Sequence, residues 1–322
     1  MRLCDLKVRI EGSPMASRIR QVLGELEDRG LRFRPHFWIS SEWFTPQGVR
    51  GCAIPFFLLH PRLIRLERKQ MLVADGADRS ECMRILRHEV GHAIDHAYRL
   101  YLRRKRQRLF GKSSQRYPEY YLPRPFSRRY VQNLDYWYAQ AHPDEDFAET
   151  IAVWLRPRSN WRKNYAGWPA LRKLKYVDEL MAEIADRPAT VRGRQHVEPL
   201  QSIRKTLAEY YSEKQAHYGT EAPDFFDKDL RKLFSVERRY RRNESAAAFL
   251  RRIRPEVRRM VARWTGHYEY SLDQVLVDII ARCRELKLHR VGPPAQAKLY
   301  TVIMLTVCTM NYVYGGRRGL SI

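Results

Sequence analysis

The stretch Arg84-Ile85-Leu86-Arg87-His88-Glu89-Val90-Gly91-His92-Ala93-Ile94-Asp95 constrains this chain more than any other. It contains the pattern His-Glu-x-x-His. On a helix, residues four apart share a face, so His88 and His92 can aim two imidazoles at one point. Zinc takes imidazole nitrogen at about 2.0–2.1 Å and needs further ligands from elsewhere in the chain. Glu89 is rotated around the helix from His88. From there its carboxylate can reach a water activated by the metal without ligating the metal itself. The surroundings predict the helix. Asp78-Arg79-Ser80-Glu81 reads as a capping box, and Met83, Leu86, Val90, Ile94 and Ala97 then recur at helical spacing. Gly91 is costly inside a helix, so it predicts a close approach of backbone or metal ligands.

A second stretch, Tyr138-Ala139-Gln140-Ala141-His142-Pro143-Asp144-Glu145-Asp146-Phe147-Ala148-Glu149-Thr150, supplies acids. Pro143 and the carboxylates suit the first turn of a helix. Phe147, Ala148, Ile151, Ala152 and Leu155 give that helix an apolar side, and Arg156-Pro157 ends it. Glu145 and Glu149 share a face. Packed against the His-Glu helix, that face would offer a third metal ligand and an acceptor behind the ligands. Compensation of the helix dipole is the simpler role for such acids, but two histidines in need of a ligand favour the metal.

The elements ahead of the metal helix read as a helix over 14–29 and strands at 33–40, 49–59 and 70–74. They predict a small sheet that precedes it. Cys52-Ala53-Ile54-Pro55 reads as an edge strand on which an extended peptide could pair. Residues 113–129, rich in Tyr, Pro and Arg, form a long loop of the functional or mobile kind. Residues 187–198 read as a linker. Beyond it, helical patterns at about 202–214, 245–264, 271–288 and 296–314 carry no catalytic constellation. We expect a metal-binding domain over 1–190 and a helical accessory region of unreadable role over 200–322.

The chain has 322 residues, of which 44% are hydrophobic, including seven Trp and nineteen Tyr, so it can build a sizeable core. Its net charge of +24 suggests an anionic partner or a basic surface kept for solubility. Residues 101–175 hold 17 Lys/Arg against 6 Asp/Glu. Arg124 and Arg128 in the long loop, and Arg156 after the second helix, are candidate contacts for an acidic substrate. Trp161, Tyr165 and Trp168 interleave with Arg162, Lys163, Arg172, Lys173 and Lys175. Such a pattern can bind single-stranded nucleic acid, but packing and snorkelling on a protein surface is the favoured reading. The five cysteines are scattered and form no CxxC pair, which suits reduced thiols in the cytoplasm. The N-terminus lacks the apolar run of a signal peptide. Leu299–Tyr314 is too short for a membrane span and reads as a buried helix.

These residues resemble the gluzincin metallopeptidases, which carry His-Glu-x-x-His followed by a downstream Glu-x-x-x-Glu. The Glu145-Asp146-Phe147-Ala148-Glu149 form is similar to the catalytic site of anthrax lethal factor. With Leu86-Arg87-His88-Glu89, the stretch from His142 to Thr150 resembles more closely a bacterial group of zinc-binding metallopeptidases. The resemblance covers residues 33–185 and is thin beyond them. It implies an α+β fold, a small sheet followed by zincin-like helices, to which the helical patterns beyond residue 200 append a mainly helical C-terminal region. It also implies Zn2+ held by His88, His92 and Glu145, with Glu89 as general base and Glu149 orienting a ligand histidine. Tyr138, seven residues before Glu145, matches a tyrosine that stabilises the developing oxyanion, although a purely structural Tyr138 stays open. His96 lies too far along the helix to join both other histidines. Tyr98 stands where a metzincin would carry its third histidine, which excludes that class. The expected activity is hydrolysis of peptide bonds in a peptide or protein substrate. A nucleic-acid-associated protease and a non-catalytic zinc-containing binding protein are the alternatives.

Overall fold

Helix α1 (Pro14–Asp28) starts behind Ser13 with proline in its first turn, where a missing N–H costs nothing. It buries Met15, Ile19, Val22 and Leu26 along one side. Strand β1 (His36–Ser40) pairs in parallel with β2 (Gly51–Pro55), in the register His36 to Gly51 through Ser40 to Pro55. In this computed structural model, which describes residues 1–118, 120–218, 226–314 and 320–321, the protein is mixed and mostly helical, and this parallel pair is its longest sheet.

The expected sheet is corrected in two places. Phe56–Leu59 curls into a 3-10 turn with all four side chains buried, because a run without polar alternation has no solvent face to offer. Helix α2 (Pro61–Met71) then occupies the start of the expected third strand. Nor is Cys52–Pro55 a free edge. All of β2 is buried, and the Ala53 N–H donates to the Phe44 carbonyl at 2.8 Å on the side away from β1.

Helix α3 (Arg79–Ala97) carries the His-Glu pattern. Its N-cap Asp78 accepts from Ser80 N (2.8 Å) and Glu81 N (3.2 Å), which is the N-cap half of the expected capping box. Helices α4 (Arg104–Phe110), α5 (Pro143–Leu155), α6 (Trp161–Asn164) and α7 (Ala170–Ile184) follow. The core of this part is the stack of α3 on α5, with α1 against α3 and α7 against α5.

Buried ion pairs fix the stack. Arg87 on α3 grips Glu25 on α1 through two hydrogen bonds of 2.7 and 2.8 Å. Arg106 on α4 is fully buried and joins Asp95 of α3 to Asp144 of α5 at 3.0 and 2.5 Å. Lys173 on α7 holds Asp146 of α5 at 2.5 Å. Three charges of the basic surplus are therefore internal fastenings. In the basic-aromatic stretch, Trp161 and Tyr165 are buried and the Arg162 guanidinium covers the Trp161 ring at 4.1 Å, which is packing of the favoured kind.

The chain divides into two compact units. The first comprises Met1–Lys69, Ala74–Tyr210 and Ser321–Ile322, and the second comprises Gln70–Val73 and Tyr211–Leu320. The stretch expected as a linker belongs to the first. Side chains along β1 fasten it there: Trp38 Nε1 donates to Val197 O at 2.8 Å and Ser40 Oγ to Glu198 O at 2.7 Å. The boundary falls at Tyr210/Tyr211, within α8 (Leu207–Tyr218).

The second unit contains α9 (Phe226–Leu233), α10 (Ala246–Thr265), α11 (Glu269–Glu285) and α12 (Pro294–Tyr314). Its core joins Leu230, Phe249, Val257, Leu276, Ile279 and Leu305. Helix α12 departs from the expectation of a buried helix. Ala297, Thr301, Met304 and Leu305 face inward, while Leu299, Ile303 and Val307 are about half exposed. Apolar residues run all round it, so composition alone did not reveal which side packs. Among the described residues, no helix is long and apolar enough to cross a membrane.

Candidate metal centre

Two helices make the site, and Gly91 lets them meet. A Cβ at Gly91 would lie 2.9 Å from the Ala148 carbonyl oxygen and 3.0 Å from Ala148 Cα. The backbones of α3 and α5 touch where any side chain would separate them, as the glycine predicted. The contact lies between His88 and His92 on α3, and between Glu145 and Glu149 on α5. It brings the candidate residues of both sides to the same level.

His88 Nε2 lies 3.0 Å from Glu145 Oε2, His92 Nε2 lies 3.2 Å from the same oxygen, and the two Nε2 atoms are 3.1 Å apart. All three side chains are buried. They are the group of His, Cys, Asp and Glu among the described residues whose ligand atoms converge closely enough to hold a metal ion. Four ligands at zinc's bond lengths lie about 3.3 Å apart in a tetrahedron, close to this spacing.

The protonation states also suit a cation. His88 Nδ1 meets Glu149 Oε1 at 2.8 Å, so it is the donor and its Nε2 carries a lone pair. That lone pair faces a second imidazole nitrogen and a carboxylate oxygen. When His92 Nε2 also presents its lone pair, three acceptors meet at one point and repel each other unless a proton or a metal sits among them. Without a metal, protons take that role. Burial pulls the His88 and His92 pKa values down, but Glu145, joined at His88 by Glu149, outweighs it and both rise. Burial pushes Glu145 up, and the two histidines overcome it, holding the carboxyl well below its usual range.

Glu149 is fully buried, and both of its oxygens are engaged. Besides His88, its Oε1 accepts from Asn133 Nδ2 and its Oε2 from the Leu134 N–H, each at 2.8 Å. The 133–135 segment is held in turn by Arg84, which donates to Asn133 O at 2.9 Å and grips Asp135 at 3.1 Å. Glu89 is buried beside the cluster, and Thr45 Oγ1 donates to its Oε2 at 2.8 Å.

The Tyr138 ring lies 5.6 Å from that of His88, within a 3-10 turn Tyr138–Gln140. His96 is buried, stands outside the cluster and meets the Pro46 carbonyl at 3.0 Å. Burial first, and the charge of His92 second, lower its pKa to about 4.

The three candidate arginines are exposed and not part of the cluster. The Arg124 backbone is bound to the Gln140 side chain at 2.8 and 3.1 Å, next to the turn that carries Tyr138. The Arg128 guanidinium lies 5.8 Å from the Trp168 ring. Arg156 caps the far end of α5, three turns or about 16 Å from Glu145 along the helix.

Several residues of the site carry no local sequence signal. Thr45 lies in the connection between β1 and β2, and Asn133 and Leu134 lie in an unmarked segment. Tyr117 lies in the loop read as functional or mobile, but nothing singled it out. Its hydroxyl donates to Glu145 Oε1 at 2.9 Å and its ring stacks on His142 at 3.7 Å. Burial, then the Glu145 charge, push the Tyr117 phenol far up, so it stays protonated and donating.

Compared with family models, curated proteins and solved structures, the chain matches none. The chemistry of the centre therefore stands on its own residues: two imidazoles and a carboxylate aimed at one buried point, with a further carboxylate alongside.

Proposed function

We propose that this chain is a zinc-dependent metallopeptidase with a zincin-like, gluzincin-type site on α3 and α5. The observation that carries the reading is the mutual approach, within 3.2 Å, of His88 Nε2, His92 Nε2 and Glu145 Oε2. These residues would hold the metal, and zinc suits a set of two nitrogens and one oxygen. A zinc ion bound by three protein ligands supplies Lewis acidity toward a water and toward the carbonyl to be cleaved.

The remaining roles belong to the protein. Glu89 accepts a proton from the attacking water and passes it to the leaving amine, with Thr45 keeping its carboxylate oriented. Glu149 fixes the tautomer of His88 so that Nε2 is free to ligate. Tyr138 is the donor for charge developing on the carbonyl oxygen. Acidic peptides are the preferred substrates on this reading, because residues 101–175 carry 17 Lys/Arg against 6 Asp/Glu. The five cysteines are all free, in keeping with a cytoplasmic enzyme. The test is cleavage profiling of a peptide library with zinc-loaded protein. Glu89→Gln should retain zinc and abolish cleavage, and a protein that takes up no metal would defeat the proposal.

A second reading, in which the protease acts while docked on nucleic acid, is favoured by one observation. Residues 238–263 contain ten arginines, no lysine and two glutamates. Arg238, Arg241, Arg242, Arg251, Arg259 and Arg263 are exposed and have no acidic partner among the described residues. Arginine forks suit phosphate, and Trp264, 72% exposed at the end of α10, offers a stacking face. Single-strand affinity whose logarithm falls steeply with log salt would support this reading, and a flat response would dismiss it.

A further inference from the structure

The segment after α4 grips the first turn of α5 at alternate positions. Gly111 lies so close to Pro143 that an added Cβ would be 2.8 Å from the proline ring. Ser113 Oγ donates to Asp144 Oδ1 at 2.5 Å. The Gln115 carbonyl meets His142 Nε2 at 3.0 Å. Tyr117 stacks its ring on His142 at 3.7 Å and donates its hydroxyl to Glu145 Oε1 at 2.9 Å. Residues 111, 113, 115 and 117 thus form a strap, folded by a turn in which the Gln115 N–H donates to the Lys112 carbonyl at 3.2 Å.

His142 is where the strap and the helix join. Its Nδ1 accepts from the Asp144 N–H at 3.2 Å and caps α5, while its Nε2 and ring face hold the strap. Buried Arg106 strengthens the join by donating to Gly111 O at 3.1 Å and to Ser113 Oγ at 3.0 Å. The strap therefore reaches Glu145 from a fastened base.

We propose that Tyr117 is a positioning residue of the metal centre: by engaging Glu145 Oε1, it commits Oε2 alone to the cation that His88 and His92 share. This rests on the reading of the three residues as a metal site. Glu145 Oε2 already faces both Nε2 atoms, at 3.0 and 3.2 Å. A carboxylate has two equivalent oxygens and can rotate to offer both. A neutral phenol bound to one of them removes that freedom, and partners behind metal ligands act in this way on ligand orientation and affinity.

The experiment compares unmodified protein, Tyr117→Phe and Tyr98→Phe. The last removes a phenol that donates to Arg187 O, away from the ligands. Phenylalanine keeps the stack on His142 and deletes only the hydroxyl. Zinc affinity is read by competition with a chromophoric chelator, and coordination by the visible spectrum of the cobalt(II)-loaded protein. Tyr117→Phe should weaken zinc about 10- to 100-fold and reduce the cobalt absorption as Glu145 turns bidentate, with Tyr98→Phe unchanged in both. Zinc bound by the unmodified protein and held equally well by Tyr117→Phe, with the same spectrum, overturns this inference alone. No zinc binding by the unmodified protein overturns the metal site and this inference together.

Discussion

Replacing one glycine in each of two helices tests whether the contact between α3 and α5 governs the site. In a helix interior, Gly→Ala gains about 1 kcal/mol, because alanine loses less backbone entropy on folding. Gly24 on α1 has nothing within 4 Å of an added Cβ. Gly24→Ala should therefore stabilise the protein by about 0.5–1 kcal/mol. At Gly91 the same methyl would stand 2.9 Å from the Ala148 oxygen, 3.0 Å from Ala148 Cα and 3.3 Å from Ile151 Cβ. Two of these three atoms are backbone and cannot swing aside. The helices must part by several tenths of an ångström, and overpacking of this kind costs about 1–3 kcal/mol.

The cost meets or exceeds the propensity gain, so Gly91→Ala should be destabilised while Gly24→Ala is stabilised. The two variants should differ by about 1–3 kcal/mol. Urea unfolding of metal-free protein measures this. With two compact units in the chain, the relevant transition is the one that added zinc moves to higher urea. Zinc affinity should fall in the same variant, since His88 and His92 ride on one helix and Glu145 on the other. A Gly91→Ala protein as stabilised as Gly24→Ala would refute the packing argument.

Three further outcomes are expected. Elemental analysis should find one zinc per chain, lost in His88→Ala, His92→Ala and Glu145→Ala; full zinc content in Glu145→Ala would move the third ligand elsewhere. His96 has its pKa lowered to about 4, so the unfolded chain takes up its proton first as pH falls below about 6.5. Stability from this group is complete above that pH and is lost toward pH 4, by about 3 kcal/mol. Urea titrations of metal-free protein should show this loss relative to His96→Asn, and parallel pH profiles would count against it. Matched acidic, neutral and basic peptides should differ in kcat/KM in favour of the acidic one, by a margin that shrinks with salt; equal rates would remove the basic surface from substrate choice.

The residues that come from two short helical segments were readable in the chain itself. His88, Glu89 and His92 sit at offsets that a helix turns into fixed directions, and Glu145 and Glu149 repeat the device four residues apart. Gly91 announced its own close contact because an unexplained glycine in a helix has few other uses. Asp78 marked the start of α3 by the same local logic, since a cap is satisfied within its own turn.

Tertiary structure alone decided what approaches these segments from far along the chain. Thr45 reaches Glu89 across 44 residues and Tyr117 reaches Glu145 across 28. No spacing rule links such positions, because loop closure is set by the packing of everything between them. The same holds for charge. Arg87 and Arg106 look in sequence like the many surface arginines around them, yet both are buried against carboxylates of other helices. It holds for α12 as well, whose inward face was chosen by its neighbours and not by its own apolar pattern. Helical periodicity carries direction over about one or two turns, and beyond that distance only the folded chain determines which groups meet.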